Sequence, residues 1–416
     1  DGFGWVGLDP RVESRWWDDT AAIYGVQPPP LPGFTTPAAF RDALAAASPT
    51  RIVLMAPHGN IRGAVMGDEV GRPTRHQMAE MHQVLEAWLD AGAVGMASGL
   101  DYLPGRNAGT DEVVELCERV TRHGGVYASH LRLHDLGREG AWEEIGEIGR
   151  RSGVPIRIAH ERLDDDAVGF IDRTAEDNDL RFDTYLYPAG CTSLAFHVPA
   201  QYLREGIVAF ARRLATDSRL AAELASFLET RIAGRPGQRV LVAATTSGAH
   251  EGRWLDDLAA EWGLTVGRAT VRLMIEELPA ALVVYVWQAE DTGWDATVRR
   301  TVAEERSIVA TDGIYVGTHP HPRGFGAFPR VLGTLVRDQK LLDLPHAIHK
   351  MTGAPAAAYG LNDRGIIAEG LLADIVVFDP FDVAGPGDYE HPRRQPIGIR
   401  RVLVGGREPT SESEKE

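Results

Sequence analysis

The sequence predicts an α/β fold, a parallel (β/α)8 TIM-type barrel, on three observations. Short apolar runs recur along the chain, and each closes on a cluster of polar residues. Helical patterns fill most of the gaps between them, and strand–helix alternation of this kind builds a parallel sheet. No Gly-rich phosphate loop opens any of the helices, which speaks against a doubly wound sheet. In a barrel the polar residues at the C-terminal strand ends meet at one rim, where chemistry is done.

The elements follow in order. Residues 1–50 read as a Trp- and Pro-rich loop and a helix at Pro37–Ala47. Ile52-Val-Leu-Met-Ala-Pro then runs into His58-Gly-Asn-Ile-Arg62, and Ala93-Val-Gly-Met-Ala into Ser98-Gly-Leu-Asp-Tyr102. Gly125-Val-Tyr-Ala ends at Ser129-His130-Leu-Arg132, and Pro155-Ile-Arg-Ile-Ala at His160-Glu-Arg162. Arg181-Phe-Asp-Thr-Tyr ends near Tyr187, and Ser307-Ile-Val-Ala at Thr311-Asp312-Gly313. Helices are expected at Arg75–Ala91, Asp111–His123 and Ala141–Ser152, the last capped by Gly153. Six strands of this kind are counted where a barrel takes eight, so the reading places about two strands upstream of Asp1. Residues 193–306 interrupt the alternation with helices near 200–215 and 219–233, a strand at Val240–Thr246 and a polar stretch from Gly248 to Gly263. That is too long for a barrel connection, and is expected to be an inserted subdomain over the barrel mouth, a lid. The barrel with its insertion is thus assigned to 1–360. Residues 361–407, with strands around 369–380 and 399–406, are assigned to part of a small β-sandwich, and 408–416 to a polar tail.

Bulk properties narrow the function. The net charge of −16, from 43 basic and 59 acidic residues, argues against nucleic acid and anionic membrane as partners. No apolar run reaches the roughly 18 residues of a membrane span. Two distant cysteines, Cys117 and Cys191, permit neither a disulfide framework nor a Cys-based zinc motif, so a reducing cytoplasm is the expected location.

His130 and His160 each close an apolar strand, about one β/α repeat apart, so their imidazoles should stand side by side at the rim. Neutral imidazoles suit zinc, and a catalytic zinc takes about three protein ligands with one position open. Asp312, at the end of the last strand, would complete that cluster or act as a base. Any one of the three alone reads as a hydrogen-bonded core residue; the three together favour a metal site. Arg323, eleven residues past Asp312 in a Pro-rich loop, is either a planar clamp for a substrate carboxylate or a surface residue of a turn. Tyr185 and Tyr187 are either donors to a developing oxyanion or packing aromatics. His58 is read as structural or supporting, and His319 and His321 as loop-shaping.

Taken together, Tyr127-Ala-Ser-His-Leu-Arg132, Ile158-Ala-His-Glu-Arg162, Asp183 through Thr192, Asp312-Gly through Arg323-Gly-Phe-Gly-Ala-Phe-Pro-Arg-Val-Leu-Gly333, Met351-Thr-Gly-Ala-Pro355 and Glu369 through Pro380 resemble the D-aminoacylase (N-acyl-D-amino-acid deacylase) family of the amidohydrolase superfamily. The resemblance covers almost the whole chain. It implies a metal-dependent barrel with a composite β-sandwich that hydrolyses an amide on a D-amino acid, using one or two zinc ions. Within it His130 and His160 correspond to metal ligands and Asp312 to the general base. Tyr185 corresponds to the donor to the scissile carbonyl, and Arg323 to the clamp on the substrate carboxylate. N-acyl-D-glutamate and D-terminal dipeptides are the neighbouring substrate classes.

The sequence departs from the family pattern in places. The family's His-x-His strand has no counterpart at a strand end here, and Asp1 falls where the family has a cysteine ligand. Cys191 replaces a frequent pocket serine and Arg162 a lysine, so both are expected to touch substrate. These departures carry two further expectations: a separate N-terminal chain that supplies the missing strand, giving a heterodimer or higher oligomer; or, as the rival, a non-catalytic scaffold that has lost its ligands.

Overall fold

The computed structural model describes residues 2, 4, 10–25, 36–67, 69–233, 237–287 and 294–409. Its strands in chain order are β1 (Ala56–Pro57), β2 (Gly95–Gly99), β3 (Val126–His130), β4 (Ile156–Ile158), β5 (Leu180–Thr184), β6 (Ala189–Ser193), β7 (Gln238–Ala244), β8 (Leu282–Trp287), β9 (Ser307–Val309), β10 (Ile375–Phe378) and β11 (Ile399–Leu403). The six strands expected for the barrel form one sheet in the order β1-β2-β3-β4-β5-β9, and every pairing is parallel. Strand order therefore follows chain order without reversing. A barrel wall is built this way, whereas a doubly wound sheet reverses at a switch point.

Sheet burial explains the sequence of these strands. β4 is buried throughout and β2 and β3 at all but one position each, because parallel strands are covered on both faces. One helical layer covers the outside. Helices Arg75–Asp90, Thr110–Arg122, Leu133–Ser152 and Asp165–Ala175 pack Leu85, Trp88, Leu116, Trp142 and Ile171 against Met96, Tyr127, Ile156 and Phe182 of the strands. Their ends are specified locally. Thr74 and Gln77 form a capping box, Asp164 accepts from the Ala167 amide, and Gly153 closes its helix with φ 70°, as its position in the sequence predicts.

Several elements differ from expectation. The run from Ile52 forms a strand only at Ala56–Pro57, and His58 starts a nine-residue helix to Met66. The interruption begins earlier, because β6 leaves the barrel at Ala189 and pairs antiparallel with β8, which pairs antiparallel with β7. Helices Ile207–Thr216, Ser218–Leu228, Leu255–Glu261 and Val266–Glu277 pack on this three-stranded sheet through a second apolar core that includes Phe210, Leu228, Leu258, Met274 and Val283. The helix at 266–277 and the strand at 282–287 carried no signal that the sequence reading used. At the C-terminal end β10 and β11 form a two-stranded antiparallel ribbon. No helix among the described residues is long and apolar enough to cross a membrane.

Candidate active site

The C-terminal ends of β3, β4, β5 and β9 open into one cavity of about 350 Å³. His130, His160, Tyr185, Cys191, Asp312 and Arg323 all line it, although 193 residues separate the first from the last. Parallel strands make this possible. Each β/α repeat returns the chain to the same edge, so strand-end residues from distant repeats become neighbours.

The two imidazoles meet as expected. His130 Nδ1 lies 2.8 Å from His160 Nε2, and the ring centres are 4.8 Å apart. Burial, with the neighbouring His130 and Arg323, holds His160 well below the usual histidine range, so it is neutral. The Asp101 carboxylate sits 3.4 Å from His130 Nε2 on the far side of that ring. A proton on Nε2, facing this carboxylate, leaves the Nδ1 lone pair directed at His160. Two imidazoles with facing nitrogens fit a divalent metal such as zinc. They are two donors of a set: among the described residues no group of three or more His, Cys, Asp and Glu side chains is placed to hold an ion. Asp1, expected as a ligand from the resemblance, lies outside the described residues.

Asp312 and Arg323 form the second part of the site. Arg323 Nη2 lies 2.8 Å from Asp312 Oδ2, and the guanidinium carbon is 4.2 Å from the centre of the Tyr185 ring. The structure thus groups Asp312 with Arg323 rather than with the imidazoles. Arg323 is 1% exposed, which removes the surface-turn reading. Its position is set by His321, whose Nδ1 accepts from the Arg323 amide at 3.0 Å and whose buried ring meets Tyr185 and Tyr187 edge-on. His321 is therefore loop-shaping in the literal sense. Two residues here also carry unusual backbone. His160 has φ 45° and Asp312 φ 46°, in the left-handed region that non-glycine residues rarely enter. Such conformations concentrate where a side chain must be aimed.

The remaining residues fall into place differently. Cys191 lines the cavity from β6, and burial pushes its thiol up to about 12, so it is a neutral wall residue. Arg162 does not line the cavity; it stands behind Tyr185, donating to its hydroxyl at 2.7 Å. His58 is fully buried and pairs with Glu112 at 3.1 Å, away from the cavity. The sequence reading missed Asp101. Its Oδ1 and Oδ2 accept from the His134 and Leu133 amides at 3.0 and 3.1 Å, and Oδ2 meets His134 Nδ1 at 2.9 Å. Burial would raise its pKa, but these partners and His130 outweigh it and hold the carboxyl well below the usual range. The signal was present: Asp101 sits in the polar cluster that closes the second strand, as His130 does for the third.

Comparison with known proteins gives one answer. A model of the Amidohydrolase family matches residues 295–408. The D-aminoacylase of Alcaligenes xylosoxydans xylosoxydans is 31% identical over 376 residues, covering 88% of this chain and 69% of that protein. The N-acyl-D-aspartate deacylase of the same organism is 33% identical over 394 residues, covering 92% and 70%. Among solved structures, N-acyl-D-glutamate deacylase from Bordetella bronchiseptica, complexed with zinc and a phosphonate mimic of the tetrahedral intermediate, superposes with a TM-score of 0.76 at 29% identity, covering 94% of this chain and 75% of that one.

Proposed function

From the premise that this chain belongs to the D-aminoacylase family of amidohydrolases, we propose that it hydrolyses the amide bond of an N-acyl-D-amino acid in the cavity bounded by His130, His160, Tyr185, Asp312 and Arg323. The observation that carries this reading is the convergence of those side chains at the strand ends, with a paired imidazole donor set on one side and a buried guanidinium on the other.

His130 and His160 would hold zinc, the metal with which the Bordetella enzyme is complexed. The further ligands proposed are Asp1, from the resemblance, and Asp312, from its place at the end of the last barrel strand. Bound there, zinc supplies a water of lowered pKa and polarises the amide carbonyl. Arg323 binds the substrate carboxylate through its guanidinium fork and places the amide beside Tyr185 and Asp312. The Asp312 carboxylate accepts a proton from the attacking water. The Tyr185 hydroxyl donates to the carbonyl oxygen as negative charge builds on it. As the C–N bond breaks, Asp312 returns its proton to the leaving nitrogen, releasing a carboxylic acid and a D-amino acid. Cys191 and Trp287 wall the space beside Tyr185 and shape what the cavity admits.

The N-acyl-D-glutamate class is a second reading, favoured by the TM-score of 0.76 to the glutamate deacylase. One assay decides between them: the purified chain with zinc, offered N-acetyl-D-leucine, -D-aspartate, -D-glutamate and their L-enantiomers, with released amine as the readout. Hydrolysis of D- but not L-substrates is expected, and the preferred side chain names the subclass. No hydrolysis of any D-substrate by a zinc-loaded sample would overturn the reading in favour of the non-catalytic scaffold. Native mass spectrometry of the same sample tests the separate N-terminal chain, to which the comparisons lend no support. Cell fractionation tests the cytoplasmic location.

A further inference from the structure

We infer that Arg162 is a positioning residue that acts through Tyr185: it occupies the acceptor side of the phenol oxygen, so that the hydroxyl proton is turned into the cavity. The inference rests on the deacylase reading and on Tyr185 as the donor to the carbonyl oxygen.

The geometry is specific. Arg162 Nη2 donates to Tyr185 Oη at 2.7 Å and to the Ala189 carbonyl at 3.3 Å. An arginine has donors only and a tyrosine hydroxyl has a single proton, so in this contact the phenol oxygen can only accept. Its own proton must then point away from Arg162. Among the described residues no acceptor takes that proton in a hydrogen bond, and Tyr185 lines the cavity together with Asp312 and Arg323. A substrate carbonyl oxygen is the acceptor the arrangement leaves room for.

Arg162 is itself held from three sides. Its guanidinium carbon lies 5.1 Å from the Tyr185 ring centre, 4.9 Å from that of Trp287 and 5.4 Å from that of Trp294. Trp287 ends β8 and its amide donates to the Pro188 carbonyl at 2.9 Å, so the Arg162 cage also ties the segment from Tyr185 to Ala189 to the antiparallel sheet. That segment contains Leu186 at φ 52°, a strained position that needs such support. The ring of Tyr185 thus lies between two guanidinium groups with separate tasks. Both reach the tyrosine, but Arg323 also lines the cavity, where it would meet the substrate, whereas Arg162 stands off the cavity and is left to hold the phenol from behind. This replaces direct substrate contact, the role expected for Arg162 from the sequence. A planar fork reaches two oxygens at fixed angles, which a lysine ammonium does less rigidly.

Two measurements test it. In steady-state kinetics, Arg162→Met should lower kcat by about 10²-fold, the loss expected from a misplaced catalytic group, with KM within about twofold. Arg162→Lys should recover part of that loss. In a Tyr185→Phe background Arg162→Met should have almost no further effect, because the group it positions is gone. The second readout needs no activity. The ¹³Cζ signal of Tyr185 in tyrosine-labelled protein, identified by its loss in Tyr185→Phe, should shift on Arg162→Met. A rise in KM with kcat unchanged, or a full additional loss in the Tyr185→Phe background, would overturn the inference and return Arg162 to substrate binding. An unmoved ¹³Cζ signal would overturn it as well. A wild-type protein that hydrolyses no D-substrate while the signal still shifts would overturn the deacylase reading and leave the Arg162–Tyr185 contact standing.

Discussion

At the scale of single residues, the cavity is built around two opposite charges that hold each other. Asp312 and Arg323 are 2.8 Å apart, so in the proposed reaction a substrate carboxylate that took the guanidinium would also free the aspartate to work as a base. Asp312→Asn should keep the shape of the pair yet lower kcat by about 10²–10⁴-fold, the usual worth of a positioned acid–base group, in steady-state kinetics on the zinc-loaded protein. Arg323→Ala should raise KM about tenfold to hundredfold for carboxylate substrates, the worth of one charge-assisted contact, and should leave the corresponding carboxamides unaffected. That His130, His160 and Asp312 reach the strand-end cavity was legible because each follows an apolar run directly. The meeting of His130 with His160 was legible too, but the Asp312–Arg323 pair and the retreat of Arg162 behind Tyr185 were not: they depend on loop conformations, including φ values near 45° that no residue pattern announces.

At the scale of elements, the parallel sheet dictates which substitutions its strands tolerate. Gly95 of β2 stands opposite Val126 of β3, and a Cβ there would fall 1.9 Å from the Val126 carbonyl oxygen. Gly95→Ala should therefore destabilise the protein by about 1–3 kcal/mol in urea unfolding, as overpacking does. The helix that follows β1 is anchored by a buried trio: Glu112 accepts from His58 at 3.1 Å and from Arg62. Burial alone would raise the Glu112 pKa, but these two partners outweigh it and lower it. Glu112→Leu strands the Arg62 cation in the interior and should cost about 3–5 kcal/mol, read from the same unfolding curves. Barrel elements were legible because strand burial on both faces writes continuous apolar runs and helices write a stripe. The antiparallel sheet was less so. β6 and β8 pair across 89 residues of chain, from Ser193 to Leu282, and nothing local in either strand specifies that partner.

At the scale of the whole molecule, the cavity is a joint product of the barrel rim, the antiparallel sheet and the helix Pro10–Tyr24, whose Asp19 reaches its wall. Asp19 donates nothing; it accepts from the Ile207 amide at 3.0 Å and from Arg15 at 3.3 Å. Burial nonetheless raises its pKa from 3.8 to about 6. Between these values the folded state holds a proton that the unfolded chain has released, so this group makes stability fall as pH rises from 3.8 to about 6 and adds no further slope above. Relative to wild type, Asp19→Asn should thus be more stable at pH 7 than at pH 4, by on the order of 2 kcal/mol. A thermal-unfolding series at the two pH values checks this. The sequence by itself determined the barrel strands, their helices and the strand-end residues, because periodicity and strand termini are local properties that each segment carries alone. Only the tertiary structure decided that Asp312 pairs with Arg323, that Asp101 faces His130, and that Arg162 stands behind Tyr185. These are contacts between distant segments, and their geometry exists only once the strands stand side by side.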